Sequence, residues 1–286
     1  MNSPLNRREQ LKLTGLALSC FGQWPRIPAA FSGETILPGQ AVVRQPVIDL
    51  QFEDHLGLAQ WWLPELLLLG HTDVQVATQG PADWKKTDGN WNYDRVTPDG
   101  QLSVTVAIER IELGWMATMK LGNRSASSWS NVVAPVCLLL NASGVFQDPQ
   151  WTGTFYRSDG EFLTYAGRET DGGRDLFQMT LVKGQSMLKR SNDHREKWGF
   201  TERLSDDGIM AVVSRDGTTV LTTTWNPSHH LQANRRRTYS CIHANPYFGR
   251  LAPGESRTCY GYVLLCNGDL QQAWRATKRI VRETSE

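Results

Sequence analysis

Hydrophobic and polar residues alternate along this chain in short runs that end at turn residues, which is the pattern of β-strands. The clearest runs are Gln101–Ile111 and Trp115–Leu121. Asp88-Gly89, Asp159-Gly160 and Arg215-Asp216-Gly217 lie between such runs and predict tight hairpin turns. Further strands are predicted at Val42-Val43, Val47–Phe52, Leu66–Leu69, Asp73–Thr78, Gly208–Ser214, Thr218–Trp225 and Arg257–Cys266.

Three other segments complete the prediction. Val132–Leu140 is continuously apolar, which predicts a strand buried on both faces, with a bulge or an edge at Pro135. Ala166–Asn192 has little pattern and predicts a long loop region. Asp269 is placed as the N-cap of one helix. The apolar stripe of that helix comprises Leu270, Ala273, Trp274, Thr277 and Val281.

The order of these elements predicts the fold class. Many hairpins, no alternation of strands with helices and one terminal helix favour an all-β protein, a large antiparallel β-sandwich with one C-terminal helix. We find no internal repeat and no linker, so residues 32–286 are expected to form a single domain.

The first 31 residues are interpreted as an export signal. Arg7-Arg8 precede a short apolar run, Leu13–Gly22, and small residues follow at Ala29-Ala30, which resembles a twin-arginine signal. An amphipathic N-terminal helix is the alternative, and a lipoprotein signal at Ser19-Cys20 fits less well. We therefore expect a periplasmic or secreted protein with no later membrane span.

The charge balance and the tryptophan content bear on which kind of molecule the protein could bind. The chain has 30 basic and 29 acidic side chains. These charges nearly cancel, so the charge balance gives no indication of binding to nucleic acid. Its 11 Trp residues would suit either a core or an aromatic surface for a ligand. Nothing in the composition indicates an oligomeric state.

Four cysteines follow the predicted signal. Cys259 and Cys266 share one predicted strand, which places them roughly 23 Å apart, beyond the reach of a disulfide. A disulfide between Cys137 and Cys241 is conceivable, but we expect buried free thiols.

Candidate chemistry is sparse. The chain has no Gly-rich phosphate loop, no HExxH, no CxxC and no GxSxG motif, so serine, cysteine and metallopeptidase chemistry lack motif support. The leading hypothesis assigns no metal and no cofactor. Cys241 and His243 lie two apart, on one face of an extended segment, and His243 is the first candidate acid or base. The alternative is that SCIHANPYFGRLAPGES (240–256) forms a corner of a sheet with a structural histidine.

The other candidates are more scattered. His71 with Asp73 is a candidate acid–base pair or a surface turn. His229-His230 precedes three arginines, Arg235-Arg236-Arg237, which form either a site for acidic groups or a solvated basic loop. Arg157 flanks a hairpin that also carries Asp159 and Glu161. Stacking on sugar rings is assigned to Trp61, Trp62 and Trp91.

Three stretches resemble a known family. QLSVTVAIERIELGWMATMKLGNRS (101–125), RLAPGESRTCYGYVLL (250–265) and CIHANPYFG (241–249) are similar to galactose-mutarotase-like supersandwich domains. The resemblance implies a protein that handles carbohydrates. Epimerases of that family carry an HPYFN-type motif in mid-chain. Here the similar segment lies late and is interrupted by Asn245, so their catalytic residues are not transferred.

The sequence therefore leaves three hypotheses. The first is an exported protein that binds or modifies a carbohydrate, expected to be anionic or derived from a polysaccharide; whether it is an enzyme is left open. Its catalytic residue would be His243, helped by His71 or His229, and Arg157 and Arg236 would orient an acidic group. The second is a non-catalytic binding or scaffolding module. The third is a metal protein that uses His243, Cys241 and His229 or His230.

Overall fold

The computed structural model describes residues 41–44, 47–53, 55–69, 75–77, 82–166, 177–186, 201–236 and 239–285. They belong to one compact unit, Ile36–Glu286. In chain order the strands are β1 (Ala41–Arg44), β2 (Val47–Gln51), β3 (Leu58–Trp62), β4 (Leu66–Leu69), β5 (Gln75–Ala77), β6 (Lys85–Thr87), β7 (Asn90–Val96), β8 (Leu102–Ile111), β9 (Gly114–Asn123), β10 (Trp129–Val133), β11 (Cys137–Leu139), β12 (Thr154–Ser158), β13 (Glu161–Thr164), β14 (Phe177–Leu181), β15 (Ile209–Val213), β16 (Thr219–Asn226), β17 (Ser228–Arg236), β18 (Tyr239–Leu251) and β19 (Ser256–Asn267). The helix α1 is Leu270–Ser285.

Two antiparallel sheets form a sandwich, which confirms the predicted fold class. The nine-stranded sheet has the order β13-β12-β15-β16-β19-β9-β8-β7-β6. The ten-stranded sheet follows β1-β2-β3-β11-β18-β10-β4-β5, and β17 pairs with both β18 and β14. The long strand β18 therefore has β17 on one side and both β10 and β11 on the other.

The core lies between the sheets. Leu102, Val104, Val106 and Ile108 point inward from β8, because side chains alternate between the faces of a strand. Aromatic residues fill the middle of this core, where Trp61 and Trp225 have ring centroids 6.0 Å apart. The apolar residues that alternate in the sequence of β8 are therefore the ones that its strand geometry buries in the core.

Helix α1 packs on a sheet through the predicted stripe. Ala273 and Trp274 bury against Ile209, Ala211 and Val220 of the nine-stranded sheet. Asp269 is its N-cap, since the carboxylate accepts a hydrogen bond from Gln272 N at 2.7 Å, and Gln272 Oε1 accepts one from Asp269 N at 3.3 Å. This reciprocal pair is a capping box. No helix within the described ranges is long and apolar enough to cross a bilayer.

Four local predictions need correction. The loop predicted at Ala166–Asn192 contains strand β14. Pro135 lies between two strands, so the single strand predicted at Val132–Leu140 is β10 followed by β11. SCIHANPYFGR is no corner, because Tyr239–Leu251 is one 13-residue strand. His229-His230 and Arg235-Arg236 lie in strand β17 rather than in a loop.

Candidate functional site

Adjacent strands β17 and β18 carry a row of polar side chains on the face that points away from the core. The core face takes Leu231, Ala233, Ile242 and Ala244. The opposite face therefore takes Gln232, Asn234, Cys241, His243 and Asn245, which are all buried. Buried polar side chains need hydrogen-bond partners, so these five residues are expected to bond to one another or to their neighbours.

Cys137, Cys241 and His243 form the centre of this row. Their two sulfur atoms and one ring nitrogen all lie within 4.8 Å of one another. Strand β11 pairs with β18 at Leu139↔Cys241, which brings Cys137 alongside His243. All four described cysteines are free and buried, as predicted.

Asn234 holds the ring of His243 from strand β17. Its Nδ2 is 2.9 Å from His243 Nε2 and 3.3 Å from Cys241 Sγ. Gln232 Nε2 donates to Asn234 Oδ1 at 2.7 Å, so the amide nitrogen of Asn234 is the group that faces the imidazole. The Asn234 donor therefore favours an Nε2 that accepts a hydrogen bond and carries no proton.

Glu65 faces the other nitrogen of the ring. It follows the cis peptide Leu63-Pro64, and its backbone N–H bonds to the Pro135 carbonyl at 2.8 Å. One carboxylate oxygen lies 3.9 Å from His243 Nδ1. Within the described part of the chain that nitrogen has no hydrogen bond of good geometry, although the backbone carbonyl of Val136 also favours a proton on this ring. Burial raises the pKa of Glu65 to about 7, against the opposing effect of His243.

The thiols have different acidities because they share a hydrogen bond. Burial opposes ionisation of Cys241, but a hydrogen bond from Cys137 and the charge of His243 lower the pKa of Cys241 to about 5. Burial and the same hydrogen bond raise the pKa of Cys137. Burial lowers the pKa of His243, but the nearby Cys241 outweighs it and the net shift is upward. The thiolate form of Cys241 favours a proton on Nε2 of His243, whereas the Asn234 amide N–H favours an Nε2 without one, so the two contacts compete for this nitrogen.

His229 and His230 belong to a separate chain of hydrogen bonds. Val136 N donates to Asn245 Oδ1 at 3.1 Å, and Asn245 Nδ2 donates to His230 Nε2 at 2.9 Å. His230 Nδ1 is 2.9 Å from His229 Nδ1, and His229 Nε2 donates to the Ser186 carbonyl at 3.0 Å. Each link has one donor and one acceptor when both rings are neutral. Burial lowers the pKa of His229 to about 4, which agrees with that state.

The structure separates most of the predicted site residues. His243 lies in the polar row, whereas His229 belongs to the chain of hydrogen bonds that ends at the Ser186 carbonyl. His71 lies outside the described residues. Arg157 lies on β12 in the nine-stranded sheet, where its Nε donates to the Gly160 carbonyl at 3.1 Å. Arg236 ends strand β17, and only its backbone is described.

The three candidate tryptophans also lie in different places. Trp61 is fully buried in the core, so its ring faces are not free to stack on a sugar. Trp62 is half-buried and packs against Cys137, Leu139 and Cys241 beside the polar row. Trp91 is on the nine-stranded sheet, with Lys86 Nζ 5.5 Å from its ring centroid.

A cavity of about 480 Å³ lies elsewhere, where the end of the sandwich meets helix α1. Phe52, Leu56 and Leu265 are among its apolar lining residues. Its polar lining comprises Gln51, Glu53, Arg110, Glu112, Thr219, Asn267 and Gln272. The guanidinium of Arg110 stacks over Trp115, 4.4 Å from the ring centroid, and burial lowers the pKa of Arg110. Pockets for small ligands are usually about 300–1,000 Å³ and combine an apolar lining with a few polar groups.

Sequence reasoning missed Glu65, Asn234 and the residues of this cavity. Glu65 is the lone charge in the apolar run LPELLLL, and such a carboxyl is a signal for a buried polar contact. Gln232 and Asn234 alternate with Leu231 and Ala233, which is the pattern of a strand with one polar face. Arg110 and Glu112 carried no signal, because strand ends often have charged residues.

Comparison with solved structures finds partial structural similarity at low sequence identity. No protein-family model matches the chain, and no curated protein matches it. A solved Synechocystis protein is 8% identical, with a TM-score of 0.46 over 82% of this chain and 99% of that one. A galactose mutarotase-like protein from Lactobacillus casei is 9% identical, with a TM-score of 0.42 over 79% and 99% of the two chains. A galactose mutarotase-like protein from Clostridium acetobutylicum is 10% identical, with a TM-score of 0.40 over 78% and 86%.

Proposed function

We propose that the protein binds a carbohydrate in the cavity between the end of the sandwich and helix α1. The observation that carries this proposal is the composition of the cavity. Amide, guanidinium and carboxylate groups line it beside the apolar side chains Phe52 and Leu265. Sugars offer both hydroxyl groups and apolar ring faces, so a lining of this kind complements them.

The charges of the cavity favour a neutral sugar. Glu53 and Glu112 stand against one guanidinium, Arg110. A carboxylate on the ligand would be the third in the cavity and would face repulsion unless it paired with Arg110 directly. The expectation of an anionic polysaccharide is therefore the weaker form of the proposal, and neutral oligosaccharides are its favoured ligands.

The catalytic role predicted for His243 stays a prediction. His243 and Glu65 are buried, with side chains 3% and 9% exposed. A substrate would reach them only if the covering residues moved. Binding without chemistry is accordingly the function that the geometry supports better.

Export to the periplasm or the medium is part of the proposal. Its support is the sequence of the first 31 residues, where Arg7-Arg8 precede the short run Leu13–Gly22. Expression of the full chain with and without an Arg7→Lys/Arg8→Lys change, followed by fractionation, tests it. A chain that reaches the same compartment in both forms would contradict a twin-arginine signal.

Ligand binding is tested by thermal shift of the full chain with neutral and uronic oligosaccharides. A ligand at 100 times its Kd stabilises by about 2.7 kcal/mol, which is a rise in Tm of several degrees. We expect neutral sugars to give this shift and Arg110→Ala to abolish it. Arg157→Ala is the matched control, because Arg157 lies outside the cavity, and it should keep the full shift. If no sugar shifts the wild type, or if only Arg157→Ala loses the response, the proposal is wrong.

A further inference from the structure

Strands β11 and β18 place two sulfurs and an imidazole nitrogen together, and this arrangement is independent of the cavity. We propose that Cys137, Cys241 and His243 form a binding site for one thiophilic divalent cation of the zinc type. The ligand atoms are Cys137 Sγ, Cys241 Sγ and His243 Nε2.

The spacing of these atoms fits such an ion. Zn–S and Zn–N bonds of about 2.3 and 2.0–2.1 Å in a tetrahedron place the ligand atoms about 3.5–3.8 Å from one another. Here Cys241 Sγ and His243 Nε2 are 3.2 Å apart, and all three atoms lie within 4.8 Å. Small movements of the side chains are sufficient to close a coordination sphere.

Glu65 places a carboxyl group near the nitrogen of His243 that would not bind the metal, where an orienting partner is usually found. A histidine that binds zinc through one nitrogen commonly donates its other N–H to a carboxylate. Glu65 Oε2 lies 3.9 Å from His243 Nδ1. Nε2 is thereby left as the ligand, which is the nitrogen that already faces Cys241.

Asn234 is the fourth side chain at this site, beside two of the three proposed ligand atoms. Its Nδ2 is close to both His243 Nε2 and Cys241 Sγ, at 2.9 and 3.3 Å. An amide N–H competes with a cation for the same lone pairs, so metal binding requires this amide to turn away. A half-turn of the Asn234 amide would present Oδ1 to the ion as a fourth ligand, and it requires the Gln232 amide, which now donates to that oxygen at 2.7 Å, to turn as well.

The ligand chemistry selects the metal. Two thiolates neutralise a divalent ion, so a buried site of this composition carries no net charge. Thiolate and imidazole favour zinc and related soft ions, whereas magnesium and calcium prefer oxygen ligands. The three ligands come from two hydrogen-bonded strands, so the pairing of β11 with β18 positions them.

Zinc binding to the full-length protein tests the site. The protein is reduced, stripped with a chelator, exchanged into chelator-free buffer and titrated with Zn²⁺ alone, and bound metal is counted by mass spectrometry. We expect one equivalent of zinc and none of magnesium. Cobalt in place of zinc should give the near-ultraviolet absorption bands of thiolate-to-metal charge transfer, which a site without sulfur does not give.

Variants locate the ion. Cys137→Ser, Cys241→Ser and His243→Ala should each weaken binding by more than about 100-fold, and Glu65→Gln by about 10–100-fold. Cys259→Ser is the matched control, because Cys259 is also a buried free thiol but lies on the other sheet. Cys20→Ser, outside the described residues, is the second control, and both should retain one zinc.

The wild-type measurements decide the outcome even if a variant fails to fold. A reduced wild-type protein that binds no stoichiometric zinc, or whose cobalt form lacks sulfur bands, overturns the proposal. Zinc that remains in folded Cys241→Ser but disappears from Cys20→Ser or Cys259→Ser also overturns it. Neither result bears on sugar binding at the cavity.

Discussion

His229 shows how one buried side chain depends on its protonation state. It is 1% exposed and lies beside His230, with the Tyr247 ring centroid 5.4 Å away. Its two ring nitrogens are engaged by His230 Nδ1 and by the Ser186 carbonyl. A second proton on this ring would place two donors against each other at the contact between the histidines.

We therefore expect acid to destabilise the protein through His229. Burial lowers its pKa from 6.5 to about 4 in the folded state, so the unfolded chain binds the proton more tightly. The contribution is complete above pH 6.5 and is lost as the pH falls towards 4, with a total of up to about 3 kcal/mol. Urea unfolding between pH 7.5 and 4 in the presence of a chelator measures it. His229→Gln should flatten the dependence.

The control for this prediction is His55→Gln, because the side chain of His55 is 64% exposed. That variant should keep the acid loss of the wild type. An equal loss in wild type and His229→Gln would mean that other groups cause the acid sensitivity.

At the scale of elements, strand β18 and helix α1 contrast in how they are specified. Helix α1 has local signals, namely the Asp269 cap and an apolar stripe with the correct period. Strand β18 has turn-forming and polar residues in its middle, Asn245 and Pro246, yet it extends over 13 residues. Neighbouring strands on both sides override its local preferences, since β17 pairs with it along most of its length.

The cap of helix α1 gives a prediction at this scale. Asp269→Ala removes the acceptor for Gln272 N and should cost about 1 kcal/mol. Asp269→Asn keeps an acceptor at the same place and should lose much less. Thermal unfolding followed by circular dichroism compares the two. Equal losses in both variants would show that the side-chain bond contributes little.

At the scale of the whole molecule, stability depends on how closely the two sheets approach. Trp225 fills the space between them and meets Trp61 from the ten-stranded sheet. Its indole also lies against Gly261 of the adjacent strand β19, where a Cβ atom would stand 2.3 Å from Trp225 Cε2. Only glycine leaves room for this ring, so Gly261 sets the position of Trp225 in the core.

Gly261→Ala should therefore destabilise the sandwich by about 1–3 kcal/mol, the cost of forcing extra volume into a packed core. Gly144→Ala is the matched control, because a Cβ there meets nothing within 4 Å. The control should change stability by less than about 0.5 kcal/mol. Denaturant unfolding measures both. A Gly261→Ala protein as stable as Gly144→Ala would show that Trp225 moves freely.

The sequence by itself determined the fold class, most strands, the hairpin turns and the capped helix, because alternation, turn residues and caps act within a few residues. It also placed Cys241 and His243 on one face, since side chains two apart on a strand point the same way. Those rules failed at β14, β17 and Tyr239–Leu251. Strands β17 and β18 pair with each other, but each also pairs with strands that are distant in sequence, β14 for β17 and β10 and β11 for β18.

Only the tertiary structure decided which residues meet. Glu65, Cys137 and the adjacent strands that carry Asn234 and His243 are distant from one another in sequence. The pairing of β11 with β18 and the bond from Glu65 N to the Pro135 carbonyl bring them together. The same is true of the cavity, where Glu53, Arg110 and Gln272 converge. The tertiary structure also places Trp61 in the core and Trp62 beside the polar row, although the two residues are adjacent in sequence. Sequence patterns report which face a residue occupies, whereas a site depends on long-range contacts that no local pattern encodes.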